Sequence, residues 1–234
     1  MKVSVVLLPQ LLTGSLAGCV CAVFDVLRAT TTMSAALAAG VSEIHLFGEL
    51  QEARETASDF DGLLCGEEAC LKPRGFDLGN SPGQFTSSHR GKTLFMCTTN
   101  GTRALIAARG ADAVYTAALV NASAVARAMQ KTQKDIVLLC AGTNGEVAME
   151  DVLGAGAVIA GLDRPALEND AAAMALKLFE SNRHDLGGVL AQTRGGRNVL
   201  AAKLDEDIDF AARLDALDVV GVASGEPLVV RLLT

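Results

Sequence analysis

Short apolar runs recur along the chain, each closed by turn residues, and longer mixed stretches fall between them. Runs at 3–8, 19–24, 43–47, 63–65, 93–97, 113–116 and 136–140 read as buried strands, being brief, rich in β-branched residues and bounded by Gly, Asp, Asn or Ser. Stretches at 33–39, 50–58, 102–109, 122–131 and 150–162 carry helical patterning, and Asn121 is placed to cap the helix that follows it. Strand-like and helical segments therefore alternate, which predicts a layered α/β fold around a mixed or mostly parallel sheet. After residue 163 the pattern turns mostly helical, with Pro165 as a helix start and 171–180 as a strong helix former. A closing hairpin is predicted at 219–223 and 228–233 around Ser224-Gly225-Glu226-Pro227. The reading is one domain over 1–234, or two apposed lobes that switch near 163, since no low-complexity linker divides the chain.

Half of the 234 residues are hydrophobic, enough for a sizeable core. The balance of 20 Lys+Arg against 27 Asp+Glu gives a formal charge of −7, with no basic stripe, no Trp and one Tyr. Nucleic acid is excluded as a partner on that pattern. Leu16-Ala17-Gly18-Cys19 looks like a lipoprotein cleavage box, but Pro9-Gln10 interrupts the apolar segment before it, and cleavage would leave the 19–24 strand untethered. The 152–162 stretch is too short for a bilayer, which takes about 20 residues, so no membrane partner is expected. Six cysteines lie mostly in apolar runs without a paired C-x-x-C spacing, which predicts a reducing cytoplasm. The Ala-rich surface makes a homodimer a reasonable expectation.

Chemistry gathers where apolar runs end. Phe24-Asp25-Val26-Leu27-Arg28-Ala29-Thr30-Thr31-Thr32 places a carboxylate, a guanidinium and three hydroxyls in one strand-to-helix turn, and such groups bind a metal and a phosphate. The segment from Gly66 to Pro82 is too long and too rich in Gly, Pro and charge for a mere connection. Met96-Cys97-Thr98-Thr99-Asn100-Gly101 is echoed by Leu139-Cys140-Ala141-Gly142-Thr143-Asn144-Gly145, and both Asn-Gly turns can expose N–H groups to an oxyanion at neighbouring strand ends. As ordinary turns, the same residues need no ligand at all.

In this order the segments resemble the 2-phosphosulfolactate phosphatase family of coenzyme M biosynthesis. The matching motifs are Asp25-Val26-Leu27-Arg28-Ala29-Thr30-Thr31-Thr32, Gly75-Phe76-Asp77-Leu78-Gly79-Asn80-Ser81-Pro82, Thr98-Thr99-Asn100-Gly101-Thr102-Arg103, Asn121-Ala122-Ser123, and Cys140-Ala141-Gly142-Thr143 with Glu150-Asp151. The resemblance implies a Mg²⁺-dependent hydrolase acting on a small phosphorylated, sulfonated hydroxy acid, on a three-layer α/β/α fold. Two positions depart from the family pattern: Glu68 stands where Arg is common, and Gly195 where His is frequent. Losing a cation and adding a carboxylate weakens an anion pocket or supplies another metal ligand.

Phosphate-ester hydrolysis needs charge neutralised on the equatorial oxygens and a water held in line. Asp25, Arg28, Arg103 and Asp77 are the candidate catalytic residues, the two arginines offering bidentate forks to oxyanions. Thr30, Thr31, Lys72, Asn80, Ser81, Thr99 and Asn100 are candidate substrate contacts. Asp25, Glu67, Glu150 and Asp151 are candidate Mg²⁺ ligands, more than the one or two carboxylates that ion usually takes, so a surplus carboxylate can orient the attacking water. Two alternatives stay open: a thiolate phosphatase using the C-x5-R spacing from Cys97 to Arg103, and a non-catalytic anion-binding module. Asp25→Asn and Arg28→Ala are each expected to remove activity and leave the fold intact.

Overall fold

The computed structural model describes residues 1–58, 60 and 62–234. Its elements run β1 (Lys2–Val6), β2 (Cys19–Phe24), α1 (Ala29–Ala38), β3 (Glu43–Phe47), α2 (Leu50–Ser58), β4 (Gly62–Gly66), β5 (Thr93–Cys97), α3 (Gly101–Ala107), β6 (Ala113–Ala117), α4 (Ala122–Lys131), β7 (Asp135–Cys140), α5 (Met149–Ala160), β8 (Ala166–Leu167), α6 (Asp170–Asn182), α7 (Leu186–Gln192), α8 (Arg194–Ala201), α9 (Asp205–Ala211), β9 (Gly221–Ser224) and β10 (Val229–Leu232). Strands and helices alternate as the apolar pattern predicts, and the fold is the expected layered α/β.

All ten strands form one sheet in the order β4-β5-β3-β10-β9-β6-β2-β7-β1-β8. The pairings on either side of the terminal hairpin are parallel, whereas β9 and β10 run antiparallel to each other and to their outer neighbours β6 and β3. The last hairpin of the chain is therefore central, and it joins two parallel halves. Buried apolar strands such as β2 and β7 fit this setting, since parallel strands are covered on both faces.

Five strands separate β5 from β7 in the sheet. In a flat sheet their ends would lie about 29 Å apart, at about 4.8 Å per step. Yet Asn144 N–H donates to Asn100 Oδ1 at 3.4 Å, from the turn after β7 to the turn after β5. The sheet must curl. Its concave side holds one core in which Cys21, Val23 and Leu139 meet Ile44, Leu94 and Met96, with Met33 of α1 and Leu105 of α3 among them. The convex side packs α4 to α9 against β1, β2, β6 and β7, and a small third cluster sits under α2. The two Thr-Asn-Gly turns thus converge through curvature, not through the neighbouring strand ends that the sequence suggests.

Helix α5 is buried on nearly every side, which needs small residues where helices cross. A Cβ on Gly156 would lie 2.1 Å from the Ala175 carbonyl oxygen of α6, so only glycine permits that approach. Among the described residues no helix is long and apolar enough to cross a membrane. Pro165 does not begin a helix. It precedes the edge strand β8, which pairs Ala166 and Leu167 with Lys2 and Val3, a place where a missing N–H costs little. The helix waits for Asn169, whose side chain accepts from Ala172 N–H. Asn121 precedes α4 but makes no side-chain cap. Its amide accepts from Ala118 N–H and donates to the carbonyls of Thr116 and Val219, because it is fully buried and must satisfy itself there.

Candidate active site

The turns after β2, β4, β5 and β7 open toward one cavity of about 140 Å³, a few times the volume of a water molecule. It is lined by Asp25, Leu27 and Arg28 from the first turn, Glu67, Ala69 and Cys70 from the second, Thr98, Thr99 and Asn100 from the third, and Thr143 and Asn144 from the fourth. Asn80 and two residues of α8, Gly195 and Asn198, complete the wall. Strand ends in an open α/β sheet carry ligand sites for this reason: turn residues face outward while the sheet fixes their spacing.

Asp25 sits at the base of the turn with its Oδ1 accepting from Ala29 N–H at 3.2 Å. A Cβ on Gly101 would lie 3.0 Å from Asp25 Oδ2, so glycine lets the start of α3 approach the carboxylate. Burial pushes the Asp25 carboxyl up to about 6, and the negative charges of Glu67 and Glu150 push the same way against the N–H groups of Ala29 and Gly101. Asp151 is raised well above the usual carboxylate range, first by burial and then by Asp25 and Glu150. Glu150 is raised as well, chiefly by burial. Three carboxylates thus crowd one region with too little positive charge among them.

The three differ in what they hold. Asp151 Oδ1 accepts from Val26 N–H at 2.8 Å and Oδ2 from Gly142 N–H at 2.9 Å, so it braces the turns after β2 and β7. Glu150 lies against the start of α8, where a Cβ on Gly195 would come 2.0 Å from its Oε1. Gly195 is therefore the residue that gives Glu150 room. Glu150 Oε2 is buried without a hydrogen-bond partner among the described residues. Glu67 faces the cavity with Oε1 accepting from Thr99 Oγ1 at 3.1 Å and Oε2 from Cys70 N–H at 2.8 Å.

Arg28 has the opposite situation. Its Nη1 donates to Asp207 Oδ2 at 2.6 Å and to Ser81 Oγ at 3.1 Å, and Nη2 donates to the Cys70 carbonyl at 2.6 Å. Ser81 Oγ donates to the same Asp207 oxygen at 2.7 Å. Both charged side chains are almost wholly buried, at 3% and 6% exposure, so this is an ion pair shielded from solvent. Among the described residues three of the five guanidinium N–H groups are engaged, and two are left for a ligand.

The other candidates divide. Thr99 and Asn100 line the cavity, as does Asn80, whose Oδ1 is buried without a partner among the described residues. Thr30 Oγ1 donates to the Asp25 carbonyl and Thr31 Oγ1 to the Val26 carbonyl, so both hydroxyls serve the turn itself. Asp77 Oδ2 accepts from Leu64 N–H, and Lys72 Nζ donates to the Asp77 carbonyl, both on an exposed stretch. Arg103 is exposed on α3 and Glu68 on the turn after β4, and neither lines the cavity. Cys97 points into the small cluster with Phe47 and Phe95, where burial first and then Glu49 and Glu67 push its thiol up to about 11. It is thus a poor source of thiolate. Sequence reasoning missed Asn198 and Asp207. Asp207 is one of several acidic residues opening α9, and its partner lies 179 positions away, so no local pattern marks it.

Among the described residues no group of three or more His, Cys, Asp or Glu side chains is arranged to hold a metal ion. Mg²⁺ asks for less, since one or two carboxylates suffice when waters and a phosphate fill its remaining positions. Asp25 and Glu67 on the cavity wall fit that donor set.

A family model described as 2-phosphosulpholactate phosphatase matches residues 6–226. A probable 2-phosphosulfolactate phosphatase of Symbiobacterium thermophilum is 38% identical over 214 residues, covering 88% of this chain and 92% of the relative. Proteins of the same description from Synechococcus sp. (strain JA-3-3Ab) and Carboxydothermus hydrogenoformans are 40% and 36% identical, covering 86% and 94% of this chain and 87% and 92% of their own lengths.

Proposed function

Because this chain belongs to the 2-phosphosulfolactate phosphatase family, we propose that it is a Mg²⁺-dependent phosphoric monoester hydrolase that converts 2-phosphosulfolactate to sulfolactate and phosphate. The observation that carries the metal dependence is a charge imbalance. Asp25 and Glu67 line the cavity, and Arg28, the one cation among the described residues of its wall, is already paired with Asp207. A substrate bearing phosphate, carboxylate and sulfonate would meet net negative charge there, and a divalent cation removes that repulsion.

Asp25 and Glu67 would hold Mg²⁺, which supplies neutralisation of the phosphoryl oxygens as charge builds on them. The remaining roles belong to the chain itself. The two unengaged N–H groups of Arg28 are available to the phosphoryl oxygens. Asn100, Thr143 and Asn144 offer neutral side-chain donors from the two facing turns, enough to orient an oxyanion without adding charge, while the Thr99 hydroxyl already donates to Glu67. Asn80 Oδ1 can accept a hydrogen bond from a water or from the hydroxyl of the departing sulfolactate. In hydrolysis the water oxygen bonds to phosphorus, the ester P–O bond breaks, and the departing sulfolactate oxygen takes up a proton.

The test is phosphate release from 2-phosphosulfolactate by the purified chain. Release that stops with a chelator and returns with Mg²⁺ is expected. Absence of release overturns the reading, and release that resists chelator but is lost in Cys97→Ser transfers it to Cys97.

A further inference from the structure

We infer that Asp207 is the positioning residue for the phosphate-binding arginine. The inference rests on the reading of Arg28 as a phosphate contact. Asp207 does not line the cavity, so it has no direct access to a ligand there. It reaches the site through one atom. Its Oδ2 accepts from Arg28 Nη1 at 2.6 Å and from Ser81 Oγ at 2.7 Å, while Arg28 Nη1 also donates to Ser81 Oγ at 3.1 Å, which closes a triangle.

A long side chain with four rotatable bonds samples many geometries, and two free N–H groups are useful only if the fork is held still. The triangle holds one end of the guanidinium, and the Cys70 carbonyl holds the adjacent nitrogen at 2.6 Å. Asp207 contributes the charge in that clamp. Without it a guanidinium that is 3% exposed would have only neutral partners among the described residues, and it would turn toward the cavity carboxylates Asp25 or Glu67. That movement would also occupy the carboxylates reserved for the cation. Asp207 therefore keeps opposite charges apart within one cavity.

The placement gives the helical C-terminal part a stake in the chemistry. Helix α9 packs on the convex core through Ile208 and Ala211, and Asp207, next to Ile208, extends from it to the turn after β2. The clamp thus depends on how the last helices dock.

The experiment compares the full-length wild type with Asp207→Asn, Arg28→Ala and the double variant, each with saturating Mg²⁺. Two readouts are taken: kcat and KM for 2-phosphosulfolactate, and the dissociation constant of inorganic phosphate by calorimetry. Asp207→Asn keeps the side-chain shape and is expected to weaken phosphate binding and raise KM by about tenfold, which corresponds to about 1.4 kcal/mol. In the Arg28→Ala background the same change is expected to cause no further loss, because Asp207 acts only through that arginine. A purely structural role would lower the melting temperature and leave KM and the phosphate constant of the folded fraction unchanged, which would overturn the proposal. Additive losses in the double variant would overturn it too. If wild type binds phosphate without hydrolysing the ester, the functional reading fails while the phosphate constants still decide the role of Asp207. If wild type does not bind phosphate, both fall.

Discussion

Two charged regions meet at the cavity, and they are finished to different degrees. Around Arg28, each charge has a partner: guanidinium, Asp207 carboxylate, Ser81 hydroxyl and Cys70 carbonyl form a closed, buried set. Around Asp25, three buried carboxylates have their pKa values raised, and one oxygen of Glu150 has no partner among the described residues. Burial is common to both, so burial alone does not explain the contrast. The first region pairs its charges within the folded protein and leaves two N–H groups of Arg28 for a ligand. The second leaves raised carboxylates without a countercharge among them, and that imbalance is what the proposed Mg²⁺ dependence rests on.

The contrast can be broken most severely at its acidic side. Asp25→Asn removes a carboxylate from the cavity wall and is expected to lower kcat/KM by about a thousandfold or more, measured as phosphate release at saturating Mg²⁺. The same variant is expected to fold at least as stably as wild type without metal, because it deletes a buried charge that lacks a countercharge. Undiminished turnover would remove Asp25 from the centre.

The basic side should break differently. Arg28→Ala also removes activity, but it strands Asp207 as a buried unpaired carboxylate and opens the Ser81 triangle. A loss of about 3–5 kcal/mol in unfolding free energy is expected, read by denaturant titration. This revises the expectation from sequence alone, in which both substitutions spare the fold. Equal stabilities for the two variants would erase the distinction between the regions.

How far the site was legible follows from the same contrast. The alternation of apolar runs found the elements of the sheet, and β2, β3 and β5 fall at the residues that their periodicity marks. The turn after β2 stood out because Asp25 and Arg28 share it. What escaped was everything that depends on distant pairing. Thr30 and Thr31 look like ligand contacts in the sequence, yet inside a buried helix start their hydroxyls are needed to satisfy local carbonyls. Asp207 looks like one more surface acid until the fold brings Arg28 to it. The central position of the terminal hairpin was equally hidden, since local signals give a strand its partner in the hairpin but not its place in the sheet.

Acidity sharpens the comparison without mutation. Asp25 titrates at about 6 in the folded chain, above its ordinary value of 3.8, so the native state holds that proton more tightly than the unfolded state. Its stabilising contribution is full below about pH 4 and is lost as pH rises through 6, a change of about 3 kcal/mol. Glu150 and Asp151 shift in the same direction. Metal-free protein is therefore expected to melt at lower temperature at pH 7.5 than at pH 5.5, and Mg²⁺ to raise the melting temperature more at pH 7.5. A metal effect independent of pH would mean that the ion binds away from these carboxylates.

The smallest effect is expected at Cys97, and its smallness is informative. The thiol lies 5% exposed beside Phe47 and Phe95, off the cavity wall, with burial and nearby acids holding its proton to about 11. Arg103, six residues on, is exposed and does not line the cavity either. The spacing of a thiolate phosphatase is present in the sequence while its geometry is absent from the fold. Cys97→Ser should keep kcat/KM within about twofold of wild type, with a stability cost of about 1 kcal/mol for placing a hydroxyl in an apolar cluster. Loss of turnover in a variant that still melts cooperatively would move the nucleophile from water to sulfur, and the contrast between the two charged regions would then describe only how the substrate is held.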